Sequence, residues 1–88
     1  MNGWKILYTS EALKDKEKAF EAGFKKKIIS LLKILRENPF NRYPPYEKLI
    51  GDYTGAYSLR INRQHRLIYS LYMEKKIVKI ISMWTHYE

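Results

Sequence analysis

The residues best suited to chemistry lie in the second half of the chain. Glu47 follows a proline-rich stretch, Arg60 and Arg66 come later, and His86 stands two residues before the last one. A carboxylate takes a proton from a hydroxyl, guanidinium groups stabilise negative charge, and an imidazole donates a proton near neutral pH. Groups of these three kinds are the parts that cleavage of RNA without a metal needs: a base for the 2′-hydroxyl, cations for the phosphorus centre and an acid for the leaving 5′-oxygen.

The charge of the chain predicts a polyanionic partner. Seventeen Lys and Arg against nine Asp and Glu give a net charge of +8 in 88 residues, and such a surface attracts polyanions and speeds their capture. Nucleic acid is the first candidate, an acidic protein the second and anionic lipid the third. Eight tyrosines and two tryptophans favour nucleic acid, because aromatic faces stack on bases, although most of them are expected in the core or in strands.

Composition also excludes several classes of protein. The chain has no cysteine, which excludes disulfides, thiolate catalysis and zinc sites built on sulfur. With only two histidines, we expect no metal and no cofactor. The apolar runs are too short to span a bilayer and no charged-then-apolar leader follows Met1, so we expect a cytoplasmic protein without a membrane partner. The length predicts one domain, residues 1–88.

The first half of the chain predicts a strand and two helices. The strand is Trp4–Tyr8, and a charged helix from Glu11 to Phe20 follows it. Thr9 or Ser10 is the expected N-cap, and Gly23 is the expected break after the helix.

The second helix has the clearest pattern. It begins at Phe24 and ends at Asn38-Pro39, because proline disfavours helical geometry in the residue before it. Its apolar residues recur at steps of three and four positions: Ile28, Leu31, Leu32 and Leu35. The two helices carry many lysines: Lys14, Lys16, Lys18, Lys25, Lys26, Lys27 and Lys33. These lysines form either an ordinary solvated face or a docking surface for a large polyanion.

The second half predicts a sheet. Asn41–Asp52 is a loop stiffened by consecutive prolines. Strands are predicted at Ala56–Ile61, Arg66–Tyr72 and Ile77–Thr85, and the short connections between them indicate an antiparallel meander. With both helices covering one face of the sheet, the fold class is α+β.

Strand alternation brings two arginines together. Leu59 and Ile61 fall on one face of their strand, whereas Ser58 and Arg60 fall on the other. Pairing through a short turn places Arg60 opposite Arg66, which costs up to about 1 kcal/mol for like charges. Such a pair is expected to bind an anion between its members, and guanidinium groups suit phosphate oxygens. In a register shifted by one residue, the two arginines would instead diverge into solvent.

The remaining chemical residues are placed less firmly by pattern. The end of an antiparallel strand is level with the start of its neighbour, so His86 is expected near Arg66. Alternatively, His86 is an exposed side chain without a chemical role. Tyr87 is a packing residue, an aromatic ring on which a base stacks, or a second proton donor. Periodicity does not place Glu47, which on spacing alone is also compatible with an ordinary surface carboxylate.

Five segments carry a resemblance to a known family. They are Asn38-Pro39-Phe40, Glu47-Lys48-Leu49, the phrase from Gly55 to Ile61, the phrase from His65 to Tyr69, and the closing His86-Tyr87. In these segments, and nearly from end to end, the chain resembles the YoeB toxins of the bacterial RelE/ParE superfamily. The resemblance implies a RelE-like microbial RNase fold.

The resemblance also implies an activity and a role for each site residue. YoeB-type toxins are ribosome-dependent endonucleases that cut mRNA in the ribosomal A site. Glu47 matches the general base, Arg66 the residue that stabilises the phosphorane, and Arg60 a supporting phosphate contact. His86 matches the general acid, and Tyr87 the aromatic that supports it. The expected products are a 2′,3′-cyclic or 3′-phosphate and a 5′-hydroxyl.

The implied partners are an acidic YefM-like antitoxin, the 70S ribosome with its mRNA, and a second copy of the toxin. The chain departs from the family in having Leu59 where basic residues are common and in adding Glu88 after the terminal His-Tyr. His65 matches no family role and is expected to be structural. Two alternatives stay open: a toxin of the same fold that binds DNA gyrase, and a plain RNA-binding module that works through its helix lysines. Members of the gyrase-binding branch lack the carboxylate and the terminal histidine, so Glu47 and His86 discriminate against the first alternative.

Overall fold

The computed structural model describes residues 3–86, and at His86 the backbone alone. The α-helices are α1, Ser10–Glu21, and α2, Lys25–Glu37, and a short 3₁₀ helix covers Gly51–Tyr53. The strands are β1 Lys5–Tyr8, β2 Glu47–Lys48, β3 Tyr57–Arg60, β4 His65–Tyr72 and β5 Ile77–His86. The predicted α+β class and the predicted order of the elements are confirmed.

All five strands form one sheet in the order β1-β5-β4-β3-β2. From β2 to β5 each strand is antiparallel to the next, which confirms the predicted meander. The first strand, β1, lies at the edge and runs parallel to β5, with Lys5 level with Ile77. The sequence predicted a strand there but not its pairing, because parallel partners are separated by most of the chain.

Two local signals fix α1. Thr9 is the N-cap predicted for this helix, and its hydroxyl accepts a hydrogen bond from the Ala12 N–H at 3.0 Å. At the other end Gly23 has a φ of 94°, and Gly23 and Phe24 donate to the carbonyls of Phe20 and Ala19, both at 3.0 Å. This is the Schellman pattern, in which a left-handed residue closes the helix. The predicted break at Gly23 is confirmed.

The main core lies between the two helices and one face of the sheet. The apolar stripe of α2 is buried as its spacing predicted, with Ile28 and Leu35 at 0% and 1% exposure. The buried residues of this core are Ala12, Ala19, Ile28, Leu31, Leu32, Leu35, Leu59, Ile61, Leu67, Tyr69, Val78, Ile80 and Met83. Strand alternation therefore holds for β3 and β4, whose odd-numbered residues face the helices.

A smaller apolar cluster lies on the opposite face of the sheet. It consists of Leu49, Ala56 and Ile68, with Ile81 packed against it. Leu49 follows β2 directly, and its N–H donates to the Ala56 carbonyl at 2.9 Å. The prediction of a plain loop over Asn41–Asp52 was wrong at this point, because a strand of two residues is too short to show alternation. No helix within residues 3–86 is long and apolar enough to cross a membrane.

Candidate active site

A buried arginine contacts the charged and polar residues on the face of the sheet that the helices leave uncovered, here called the open face. Arg66, near the start of β4, is 9% exposed. Its Nη1 donates to the Glu47 carboxylate and lies 3.2 Å from the hydroxyl oxygen of Ser58, which is also buried. A buried charge is tolerated when a counter-ion and hydrogen-bond partners surround it. The contacts with Glu47 and Ser58 therefore allow the Arg66 guanidinium to be buried against this face of the sheet.

Sheet register brings Glu47 to this arginine. Glu47 on β2 pairs with Ser58 on β3, and Ser58 pairs with Ile68 on β4, two residues beyond Arg66. Residues opposite each other in adjacent strands share a face, so Glu47, Ser58 and Arg66 lie on the same side. Periodicity alone left Glu47 unplaced, and the structure brings it into direct contact with one of the predicted site residues.

The arginines keep Glu47 ionised. The hydrogen bond from Arg66, followed by its charge, lowers the pKa of the Glu47 carboxyl below the ordinary value of 4.5, and Arg60 adds a smaller lowering. Desolvation acts in the opposite direction but is weaker, since the side chain is 59% exposed. Glu47 is therefore a carboxylate at neutral pH, the form that accepts a proton.

Arg60 lies where alternation predicted it. It ends β3 and is the direct cross-strand partner of Arg66, so the expected opposition of the two arginines is confirmed. Its side chain is exposed. The anion bound to Arg66 is a residue of the chain itself, Glu47.

A cleft connects these residues to solvent. It has a volume of about 430 Å³ and is lined by Pro44, Pro45, Glu47, Arg60 and Arg66. Ligand sites for small molecules begin at roughly 300 Å³, so the cleft accommodates a nucleotide-sized group. One carboxylate and two guanidinium groups at its wall form a site for an anion beside a base.

The C-terminal residues are described in part. The β5 backbone places His86 opposite His65 and Thr85 opposite Arg66. The backbone of His86 therefore lies level with the start of β4, as predicted. The side chain of His86 and the whole of Tyr87 lie outside the part of the chain that the structure describes. Their roles stay predictions.

His65 is packed rather than open to the cleft. Its ring lies flat on the Trp84 indole, with centroids 3.8 Å apart and planes 5° from parallel. The Asn62 side-chain oxygen accepts the His65 backbone N–H at 2.7 Å and lies 3.2 Å from its Nδ1. These contacts tie the β3–β4 turn to the end of β5.

Two features of the site were missed by sequence reasoning. Ser58 was assigned to the same face as Arg60, yet its contact with Arg66 was not anticipated. The ring contact of Tyr46, the residue before Glu47, with Tyr57 was also missed, because it joins residues that are distant along the chain. Among the side chains that the structure describes, those of residues 3–85, no three acidic or histidine side chains come together as a metal site.

Solved structures that the chain resembles include toxins of bacterial toxin–antitoxin systems. The chain is 34% identical to the *Staphylococcus aureus* YoeB toxin in its heterotetrameric complex with YefM, over 96% of this chain and 98% of that one, with a TM-score of 0.76. It is 27% identical to the YoeB/ParE toxin of *Agrobacterium tumefaciens*, over 94% and 99% of the two chains, with a TM-score of 0.83. *Escherichia coli* YafQ in complex with DinJ, at 23% identity over 94% and 92%, shares the fold with a TM-score of 0.77.

The family follows from a match to nearly the whole sequence. The model of the YoeB-like toxins of bacterial type II toxin–antitoxin systems matches residues 8–87. The chain therefore belongs to the family of YoeB-like toxins, which confirms the resemblance stated above. A comparison with curated protein sequences gave no match.

Proposed function

We propose that the protein is an endoribonuclease toxin that cuts mRNA in the A site of the ribosome and thereby stops translation. The observation that carries this proposal is the contact between ionised Glu47 and buried Arg66 in a cleft that Arg60 also lines. It supplies a base and two phosphate-binding cations at one opening. Family membership supports the same reaction.

In the proposed reaction, Glu47 takes the proton of a ribose 2′-hydroxyl. The 2′-oxygen then attacks the adjacent phosphorus, and the bond from phosphorus to the 5′-oxygen breaks. Arg66 and Arg60 stabilise the extra negative charge on the phosphorane oxygens. A guanidinium has five N–H donors in a planar fork, which suits it to contact a carboxylate and a phosphate together.

His86 is the proposed acid, protonating the leaving 5′-oxygen, and Tyr87 supports it. The support for this assignment is family membership, together with the level of the His86 backbone, one residue beyond the Thr85–Arg66 pair. The products are a 2′,3′-cyclic phosphate and a 5′-hydroxyl, and no metal takes part, because Arg60 and Arg66 supply the positive charge.

Charge and family membership also support the proposed partners. A net charge of +8 favours ribosomal RNA during action and an acidic YefM-like antitoxin during inhibition. *S. aureus* YoeB has been solved with YefM and as a dimer, and we propose the same two kinds of assembly for this chain.

The test is translation in a purified bacterial system, with the 5′ ends of the mRNA mapped. We expect cuts within A-site codons with the intact chain, and a loss of about 10²–10⁴-fold in cleavage rate with Glu47→Gln or His86→Ala. Lys48→Gln, the exposed neighbour on β2, is the matched control and should cut normally. Uncut mRNA with the folded intact chain would contradict the proposal.

The same variants separate the two alternatives. A plain RNA-binding module predicts that Glu47→Gln and His86→Ala still arrest translation, whereas the nuclease proposal predicts ribosome binding without arrest. A gyrase-binding toxin predicts inhibition of DNA supercoiling by the intact chain, which we do not expect.

A further inference from the structure

Glu47 has little packing of its own. Its side chain is 59% exposed, and β2 consists only of Glu47 and the exposed Lys48. Two-residue strands contribute few ladder hydrogen bonds. The position of the carboxylate therefore depends on the residues that flank β2.

The flanking residues hold β2 from opposite faces of the sheet. Leu49 is buried in the small cluster on the open face. Tyr46, on the other side of Glu47, packs against the main core on the helix face. Because side chains alternate along a strand, Tyr46 is anchored on one face while Glu47 meets Arg66 on the other.

The anchor of Tyr46 is a row of aromatic rings. Its centroid lies 5.7 Å from that of Tyr57 at 76°, and 6.5 Å from that of Phe40 at 72°. Tyr57 in turn stacks on Tyr69, with centroids 5.7 Å apart and planes at 25°, and Tyr69 is fully buried. Edge-to-face and offset-stacked geometries are the favourable ones for aromatic pairs.

The aromatic row and the charged site use the same strands. Tyr57 precedes Ser58 on β3, and Tyr69 lies on β4 with Arg66. A displacement of Tyr46 from Tyr57 would therefore move Glu47 relative to the strands that carry its partners.

We infer that Tyr46 is a positioning residue, which holds the Glu47 carboxylate against Arg66 through its ring contacts with Tyr57 and Phe40. This inference rests on the proposed function for its catalytic meaning, since Glu47 is the proposed base. The contact itself is measurable without any cleavage assay.

The first experiment follows the ionisation of Glu47 by carbon-detected NMR over a pH series. In the intact chain the carboxyl titrates below an ordinary glutamate, because Arg66 binds it. We expect Tyr46→Ala to raise the pKa of Glu47 towards the ordinary range, because the carboxylate is then no longer held in contact with Arg66. Tyr46→Phe keeps the ring and should titrate like the intact chain, as should Tyr72→Ala, which removes an exposed tyrosine at the opposite end of β4.

The second experiment measures cleavage of mRNA on programmed ribosomes. We expect Tyr46→Ala to lower kcat about tenfold or more and to change KM less than twofold, with Tyr46→Phe restoring kcat. If Tyr46→Ala does not fold, Tyr46→Leu keeps apolar bulk without the aromatic edge and should shift the Glu47 titration in the same direction.

The two experiments distinguish two failures. A Glu47 titration that is identical in the intact chain and in folded Tyr46→Ala or Tyr46→Leu overturns the positioning role. A shifted titration supports that role even if the intact chain leaves mRNA uncut, and in that case only the proposed function is lost.

Discussion

Arg60 and Arg66 lie directly opposite each other on β3 and β4, but their side chains occupy different environments. Arg66 is buried against Glu47 and Ser58, whereas Arg60 is exposed at the wall of the cleft. Glu47 reduces the repulsion between the arginines, because it binds one of them and is attracted by the other. Two cations and one carboxylate leave a net positive charge at the cleft, which favours an incoming phosphate.

Removing each arginine should therefore change the free energy of unfolding by a different amount. We expect Arg60→Ala to change the free energy of unfolding by less than about 0.5 kcal/mol, as is usual for surface positions. We expect Arg66→Ala to lower it by about 1–3 kcal/mol, because the buried Ser58 hydroxyl loses its partner. Urea denaturation measures both values, and Arg60→Lys is the control that keeps the charge. Equal destabilisation by the two alanine variants would contradict the structure.

The pH dependence of stability should include a contribution from Glu47. Its pKa is lowered in the folded state, so its stabilising effect is complete above the pKa of the unfolded chain and is lost as pH falls through the lower folded value. We expect the intact chain to lose more stability than Glu47→Gln on acidification below about pH 4.5. Urea denaturation at a series of pH values tests this. High salt should reduce the difference in stability loss between the two proteins, because the carboxylate is largely exposed. Parallel pH profiles of the intact chain and Glu47→Gln at low salt would contradict the prediction.

How much of the site follows from sequence depends on the length of the element that carries it. The register of Arg60 and Arg66 could be predicted, because β3 and β4 are long enough to alternate and their connection is short. The main core followed from the spacing of α2 in the same way. Family resemblance supplied the fold and the proposed roles, which alternation does not give.

Glu47 could not be placed by pattern for a physical reason. Its strand is two residues long, and its position results from Tyr46 and Leu49, which pack against residues from other strands. Contacts of this kind are set by the tertiary structure, so no local sequence pattern predicts them. The parallel pairing of β1 with β5 was missed for the same reason.

The first turn of α2 carries charges that disfavour the helix. Lys25, Lys26 and Lys27 are all exposed there, and no acidic residue occurs in that turn, although the positive end of the helix dipole disfavours cations by about 0.3–1 kcal/mol each. We expect the double variant Lys26→Gln, Lys27→Gln to be more stable than the intact chain and yet to bind ribosomes more weakly.

The ribosome measurement for these lysines is the salt dependence of binding at fixed Mg²⁺. Each lost phosphate contact should reduce the slope of log K against log salt by roughly 0.7–0.9. Lys75→Gln, in the β4–β5 turn, is the matched control and should leave the slope unchanged, as should His86→Ala. An unchanged slope in the double variant would identify the lysines as an ordinary solvated face.

The Tyr69 hydroxyl lies in the main core, where no hydrogen-bond partner for it occurs among the described residues. Burial, and to a lesser extent the neighbouring Tyr46 and Tyr57, raise the pKa of this phenol, so it stays neutral. A buried hydroxyl without a partner costs free energy that an apolar ring of the same shape does not. We expect Tyr69→Phe to raise the free energy of unfolding by about 1 kcal/mol, measured by urea denaturation, while the ring contact with Tyr57 is kept. Tyr57→Phe, in the half-buried ring beside it, should change stability less, and a clear destabilisation by Tyr69→Phe would show that the hydroxyl has a partner.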